Sequence, residues 1–233
     1  GGQLLVFEVN GLNDLVISED SPEQTVELSG ISAGGWETQP IEVTATSSNP
    51  DLLHNLQLHS VSDEGLIGHF ALNGSTQDAT GQNEKGSNHG ATPGSDRFGN
   101  PNGAYQFTTD HIQFDISALP QGSDARTLSL WAKVGVSDGS TDVLAQWGNN
   151  ESDQAFAIYL DHNEFRGSTY GIENDLSSGV AVDNHWHHIA LTLDQGLMTI
   201  YVDGILQNSQ EVSANTSGNQ LILGREVGSL GKP

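Results

Sequence analysis

An aromatic residue surrounded by amide and carboxylate side chains is the most suggestive chemistry in this sequence. Trp147 lies in a Gln-Trp-Gly-Asn-Asn stretch, and Asp153 follows shortly after it. Such groups suit sugar recognition, because an aromatic ring stacks on a pyranose face while amides and carboxylates bond the hydroxyl groups. The alternative is an ordinary turn with one partly buried tryptophan. The sequence therefore predicts a ligand rim, which consists of Trp147, Asn149, Asn150, Asp153 and Tyr170.

Three histidines around Trp186 have a spacing that could chelate a metal ion. His185 and His187 would lie on one face of an extended strand, because side chains alternate with a period of two. Imidazole nitrogens in such an arrangement can bind transition metals. The alternative is that His185, His187 and His188 belong to a structural strand, and we favour that alternative.

Motifs for catalysis are missing from the sequence. Retaining glycoside hydrolysis needs two close carboxylates, and the strand motif Glu-x-Asp-x-x-Glu that would supply them does not occur. The zinc-protease motif His-Glu-x-x-His is absent as well. The chain contains no cysteine, which excludes disulfides, thiolate zinc sites and cysteine nucleophiles. We therefore expect a chain that is not an enzyme.

The charge balance excludes several classes of partner. The 233 residues include 30 Asp plus Glu but only 7 Lys plus Arg, which gives a formal net charge of −23. The acidic share is ordinary, and it is the bases that are missing, completely so in residues 1–84. Nucleic-acid binding and docking on anionic lipid both need clustered bases, so we expect neither. Calcium ions and neutral sugars remain compatible partners.

Alternation of apolar and polar residues recurs along most of the chain, and this pattern predicts half-buried strands. Clusters of Gly, Asn, Asp and Ser with turn chemistry separate the alternating segments. Asp203-Gly204 between two short apolar pairs predicts a tight hairpin. No apolar stretch approaches the length of a membrane span, so no membrane insertion is expected. The alternating segments are Thr25–Leu28, Ile41–Thr46, Leu56–Val61, Thr127–Val134, Ala155–Leu160, His188–Leu193 and Met198–Val202.

Several motifs in residues 66–225 occur in the order of one known family. Phe70–Gly74 ends an apolar strand, and Arg97-Phe98-Gly99-Asn100 follows before an Ala-Tyr-x-Phe step. Together with Leu128–Lys133 and the pair Asn184–Leu193 and Met198–Gly204, they resemble the laminin-G-like, concanavalin A-like jelly roll. The resemblance implies an all-β fold, a concanavalin A-like/laminin-G-like jelly-roll sandwich with an N-terminal β-rich segment.

The resemblance also implies roles for individual residues. Trp131 and Trp186 match core positions of the family, and its Trp-His-His strand is structural, with one histidine at the border of the core. A calcium site near the sheet edge is implied at Asp78, in a loop with Asn83, and Asp110 is the next candidate ligand. Calcium prefers oxygen ligands from such irregular turns. The alternative is that Asp78 and Asp110 cap turns with Asx-type hydrogen bonds.

The N-terminal part of the chain resembles a different module. Residues 9–51 look like the first half of an Ig-like or cadherin-like β-module, on Ile17–Asp20 and Val43–Pro50. Because the composition changes near residue 62, we expect a partial Ig-like segment at 1–62 and the jelly roll at 66–233. The laminin-G-like family usually closes with one further strand, which is not found before Pro233. We expect either that residues 1–60 complete the sandwich or that the chain is a fragment.

These observations predict a non-catalytic binding or adhesion module located outside the cell, secreted or at the cell surface. Its expected partners are a glycan or a cell-surface ligand, with calcium as a stabilising ion, and neighbouring domains of a larger chain. The alternatives are a structural spacer module and an accessory domain of a polysaccharide-degrading enzyme. Fold alone does not choose among them, because this sandwich hosts many functions.

Overall fold

The structure, a computed structural model, describes residues 65–136, 141–171 and 174–224. They belong to the second of two compact units, Glu64–Pro233. The N-terminal Ig-like segment at 1–62 lies outside the described residues and stays a prediction. No helix among the described residues is long and apolar enough to cross a membrane. Their strands are β1 (Ser87–His89), β2 (Thr92–Gly94), β3 (Ala104–Gln106), β4 (His111–Asp115), β5 (Arg126–Lys133), β6 (Asp142–Gly148), β7 (Ala155–Asp161), β8 (Glu164–Ser168), β9 (Asp175–Ala181), β10 (Trp186–Asp194), β11 (Leu197–Val202), β12 (Ile205–Glu211) and β13 (Gln220–Leu223).

Two antiparallel sheets form a sandwich. The larger has seven strands in the order β1-β4-β13-β6-β7-β8-β9, and the smaller has four in the order β12-β11-β10-β5. A short additional ribbon pairs β2 with β3. The predicted all-β, concanavalin A-like sandwich is thus confirmed. The Asp203-Gly204 hairpin is confirmed too: it joins β11 to β12 with φ of 53° and 76°, the positive values that a tight hairpin turn requires.

The core consists of the apolar sets that alternation turns inward from both sheets. On β10 these side chains are Ile189, Leu191 and Leu193, all fully buried. The larger sheet contributes buried aromatic side chains from its inner face. Gly167 on β8 permits the close approach of the two layers, because a Cβ atom there would lie 2.3 Å from Cδ1 of Leu191. The sheets therefore pack to a spacing that this glycine sets locally.

The expected core position of Trp131 is wrong. On β5 the inward positions belong to Leu128, Leu130 and Ala132, which pack against the core. The period of two then turns Trp131 to the outside, where it is 45% exposed. Trp186 is only half-buried.

Candidate functional site

The predicted rim residues Asp153 and Tyr170 lie side by side at one end of the larger sheet. Asp153 is in the turn between β6 and β7, and Tyr170 follows β8. The backbone N–H of Asp153 donates to the carbonyl of Tyr170 at 2.8 Å, and Asn215 N–H donates to the carbonyl of Asp153 at 2.7 Å. The side chain of Asn174 donates to Oδ1 of Asp153. Three separate segments therefore meet at Asp153.

Both of these residues hold a left-handed backbone conformation. The φ angle is 68° at Asp153 and 69° at Tyr170. For an L-residue this region costs about 1–2 kcal/mol, and a bulky ring at such a position is a genuine outlier. The Tyr170 N–H donates to Oγ of Ser168 at 2.9 Å, which helps to hold the conformation, and Tyr170 is 36% exposed. Strain of this kind persists only where surrounding structure enforces it, and it clusters at functional sites.

Asn149 adds amide groups to the same end of the sheet. Its Nδ2 donates to Oγ of Ser217 at 2.9 Å, and its backbone N–H donates to the carbonyl of Gln154 at 2.9 Å. The Ser217 hydroxyl donates to Oε1 of Gln154 at 2.9 Å. Asn150 points a different way, because its Oδ1 accepts a hydrogen bond of 2.6 Å from Nε2 of the buried Gln146. The rim thus consists of Asn149, Asp153 and Tyr170, with Asn150 at its margin.

Trp147 does not supply the exposed ring that the sequence predicted for this rim. It is 3% exposed and packs on Phe156, with 4.9 Å between ring centroids. Its partner across the sheet is Leu221, a core residue, so the indole is on the inner face. Its Nε1 donates to the carbonyl of Pro120 at 3.4 Å. A buried indole cannot stack on a sugar, and the exposed aromatic ring among the predicted rim residues is Tyr170.

A polar network on the outer face of the larger sheet was not anticipated from the sequence. Arg166 on β8 pairs with Tyr159 on β7, and its guanidinium lies 2.9 Å from Oδ2 of Asp175 on β9. The Tyr159 hydroxyl donates to the same carboxylate. Hydrogen bonding to Asp175 raises the pKa of Arg166, and burial together with Asp175 raises the pKa of Tyr159. Only the strand register, which sequence spacing does not reveal, brings these groups together.

The described carboxyl groups with a displaced pKa are all stabilised in the ionised form. A glycosidase acid needs a carboxyl pKa that is raised so that it stays protonated. Each displaced carboxyl pKa is instead lowered, because hydrogen bonds to the ionised form outweigh burial. The groups concerned are Asp78, Asp96, Asp161, Asp183 and Asp203.

The candidate calcium ligand Asp78 is arranged as a turn anchor. It is 3% exposed, and Oδ1 accepts from the backbone N–H groups of His69 at 2.9 Å and Thr80 at 3.0 Å. Oδ2 accepts from the Thr80 hydroxyl at 2.5 Å and from Asn83 through Nδ2 at 2.8 Å and N–H at 3.1 Å. Burial alone would raise the pKa of Asp78, but these bonds hold it well below its usual range. Five donors occupy both oxygens.

Asp78 and Asn83 therefore lie together but do not offer a free set of oxygen ligands. Asp110 is placed elsewhere, against Gly90, where an added Cβ would lie 2.3 Å from its Oδ1. No group of three or more His, Asp or Glu side chains within the described ranges is arranged to hold a metal ion. Calcium binding by the chain stays a prediction, and Asp78 fits the turn-capping alternative.

The histidine strand is structural in its contacts. His187 stands between two carboxylates: Nδ1 is 2.7 Å from Oδ2 of Asp203 and Nε2 is 3.1 Å from Oδ1 of Asp183. Burial alone would lower the pKa of His187, but the hydrogen bonds to Asp203 and Asp183 raise it. Its ring meets the buried Phe165 edge-on at 5.5 Å, so the expected histidine at the border of the core is confirmed. His185 contacts Asp183 rather than sharing a metal position with His187.

A family model described as the concanavalin A-like lectin/glucanases superfamily matches residues 106–232. The chain belongs to this superfamily. The match begins within β3, covers the strands that carry the rim, and confirms the family resemblance over that range. A search of curated proteins finds no match for this superfamily member.

Several solved structures share the sandwich at low identity. Domain 4 of AbnA, an extracellular GH43 arabinanase from Geobacillus stearothermophilus solved with arabinotriose, is 18% identical with a TM-score of 0.47, covering 67% of this chain and 82% of that one. The botulinum neurotoxin serotype D/C binding domain is 13% identical with a TM-score of 0.48, over 67% of this chain and 42% of that chain. The carbohydrate-binding module CBM66 from Bacillus subtilis is 10% identical with a TM-score of 0.35, over 61% and 89%. These likenesses concern the fold alone.

Proposed function

We propose that this chain is a non-catalytic carbohydrate-binding module whose ligand contacts the rim formed by Asn149, Asp153 and Tyr170. The observation that carries the proposal is an exposed tyrosine held in a strained left-handed conformation beside a carboxylate and an amide. Membership of a superfamily that includes lectins and glucanases is compatible with this role, but fold does not decide function.

The rim groups suit the two requirements of sugar recognition. The Tyr170 ring offers a partly exposed π-face for a pyranose, and its fixed backbone means that little conformational entropy is lost on binding. Asn174 occupies Oδ1 of Asp153, and Oδ2 makes no hydrogen bond within the described part of the chain, so it can accept from a hydroxyl. Asn149 can donate from the amide it now shares with Ser217.

We propose that the module is extracellular and acts in binding or adhesion among neighbouring domains of a larger chain. Absence of cysteine is permitted there, since disulfides are allowed rather than required. Salt screens a net charge of −23 in such surroundings. We also propose calcium as a stabilising ion, and its binding is tested together with sugar binding.

A panel of neutral polysaccharides tests the rim, with affinity electrophoresis as a first screen and calorimetry on any ligand found. Each sugar is measured with calcium and with a chelator. We expect Tyr170→Ala to weaken binding at least tenfold, which is about 1.4 kcal/mol, and Tyr170→Phe to retain most of it. Ile205→Ala is the control, because Ile205 is another exposed large hydrophobic residue, 64% exposed against 36% for Tyr170, and it lies at the β11–β12 hairpin.

Two results would contradict the proposal. Binding that Tyr170→Ala leaves unchanged would place the sugar elsewhere on the module. Failure to bind any sugar, with or without calcium, would favour the alternative of a spacer module that presents neighbouring domains. A melting temperature that calcium raises and chelator lowers would support a bound ion, because a ligand of the native state stabilises it.

A further inference from the structure

A second candidate surface lies on the outer face of the smaller sheet, away from the rim. Trp131 on β5 is exposed there, and the loop before β3 places Arg97 and Phe98 beside it. The guanidinium carbon of Arg97 is 4.5 Å from the Trp131 ring centroid and 4.3 Å from that of Phe98. His188 on β10 faces Trp131 across the strand pair at 5.4 Å between ring centroids.

The stacking leaves the hydrogen-bonding edge of Arg97 available. A guanidinium that lies over an aromatic ring uses its face, while its N–H groups remain in the plane and can bind a carboxylate or sulfate in bidentate fashion. Within the described residues, the arginine that forms ion pairs is Arg166. Asp96, next to Arg97 in sequence, accepts hydrogen bonds from Asn100 and Phe98 at 2.8–3.0 Å. The bonds from Asn100, and to a smaller extent the charge of Arg97, lower the pKa of Asp96, but Arg97 and Asp96 do not form one of the ion pairs of the described residues.

A second cation lies on the same face. Lys133 follows Trp131 by two residues on β5, so both side chains are on the outer side of the sheet, and both are exposed. Lys133 pairs in register with Trp186 on β10, which is half-buried. In a chain with only 7 Lys plus Arg, two of them flank one exposed indole. We call this surface, made of Arg97, Phe98, Trp131 and Lys133, the outer platform.

We propose that the outer platform binds an acidic carbohydrate, a pyranose that carries a carboxylate or a sulfate. The exposed part of the indole and the Phe98 ring contact the sugar. Arg97, held over the Trp131 ring, presents its N–H edge to the anionic group, and Lys133 adds attraction along the strand. The overall charge of −23 opposes long polyanions such as nucleic acid, whereas a short acidic oligosaccharide brings few anionic groups, which the local pair of cations can hold. This second site is independent of the neutral-sugar rim at Tyr170.

Calorimetry with three probes tests the platform. The probes are oligogalacturonate, its methyl-esterified form, which keeps the sugar chain but removes the charge, and a sulfated galactan oligosaccharide. We expect binding of one or both acidic probes, at least tenfold weaker binding of the methyl ester, and weaker binding as salt shortens the Debye length from about 30 Å at 0.01 M to about 10 Å at 0.1 M. The two acidic probes distinguish the carboxylate from the sulfate.

Variants separate the platform from general charge effects. We expect Trp131→Ala and Arg97→Gln each to weaken acidic-sugar binding at least tenfold. Lys85→Gln removes one positive charge from an exposed site before β1 and should leave binding unchanged. Because Arg97 is exposed, Arg97→Gln preserves the fold and decides the test even if Trp131→Ala melts early.

Three results would overturn the platform. They are no binding of either acidic probe, equal binding of the methyl ester, and equal losses in Lys85→Gln and Arg97→Gln. Neutral-sugar binding depends on Tyr170 and acidic-sugar binding depends on the outer platform, so failure of one proposed site is distinguished from failure of the other.

Discussion

The left-handed backbone at Tyr170 predicts an inverted order of stability between glycine and alanine. Both substitutions remove the same ring and the same side-chain burial, so their difference isolates the backbone. At φ of 69° an alanine retains a cost of about 1–2 kcal/mol that glycine does not have. Glycine loses about 0.5–1 kcal/mol more conformational entropy on folding. The balance favours Tyr170→Gly over Tyr170→Ala by about 0–1.5 kcal/mol, with a central value of about 0.75 kcal/mol.

Urea unfolding of both variants measures this difference directly, and a thermal shift of about 2–4 °C per kcal/mol is expected for a chain of this size. Ser152 is the matched control, because it is exposed in the same turn and does not have a positive φ. At Ser152 we expect the ordinary order, with glycine less stable than alanine by about 0.5–1 kcal/mol. Both Tyr170 variants should lose sugar binding. A Tyr170→Gly variant less stable than Tyr170→Ala would refute strain at this position.

Three further substitutions test other parts of the molecule. Asp78→Ala should lower the free energy of unfolding by about 3 kcal/mol or more, because buried N–H donors lose their acceptor at about 1–3 kcal/mol each. Since the folded-state pKa of Asp78 is lowered, its contribution to the free energy of unfolding is present above about pH 3.9 and is lost as the pH falls below that value. When unfolding is measured at decreasing pH, the variant should therefore lose less stability than the original chain. The pKa of His187 is raised in the folded state, so its contribution to the free energy of unfolding is complete below about pH 6.5 and is lost as the pH rises through the folded-state pKa. Asp203→Asn should therefore weaken the pH dependence of the free energy of unfolding, measured in urea from pH 6 to 9. Gly167→Ala should cost about 1–3 kcal/mol by forcing a Cβ against Leu191, and an unchanged melting curve would contradict the close approach of the sheets.

The strands and their inward faces could largely be predicted from the sequence, because alternation is local. The pattern in Thr127–Val134 matches β5 to within one residue at each end, and Met198–Val202 matches β11 to one residue. The same alternation places Trp131 on the opposite face of β5 from Leu130 and Ala132, so Trp131 must face outward. The family resemblance suggested the core instead, and the local pattern was the better guide.

The inward orientation of Trp147 was harder to predict from the sequence. The register between β6 and β7 shifts between Val143 and Ala145, and such a bulge changes which residues face inward. A bulge is set by the partner strand and leaves no simple signal in the sequence. After the shift, Ala145 and Trp147 both lie in the core.

The contacts of the rim and of the Arg166 network depend on residues that are distant in sequence. Asp153 meets Tyr170 and Asn215 through backbone hydrogen bonds that span three segments. Arg166 meets Asp175 across a strand pair. Residue types alone suggested Asp153 and Tyr170 as ligands, but their proximity follows only from the sheet topology.

The position of β13 has a consequence for how this protein is made. Although β13 is the last described strand along the chain, it lies between β4 and β6 in the larger sheet and bonds both of them. Until residues 220–223 leave the ribosome, β4 and β6 each present an unpaired edge, which is a template for aggregation. Late closure of long-range pairs also makes folding slow. The emerging chain therefore exposes two neighbouring strand edges until the strand that joins them is available.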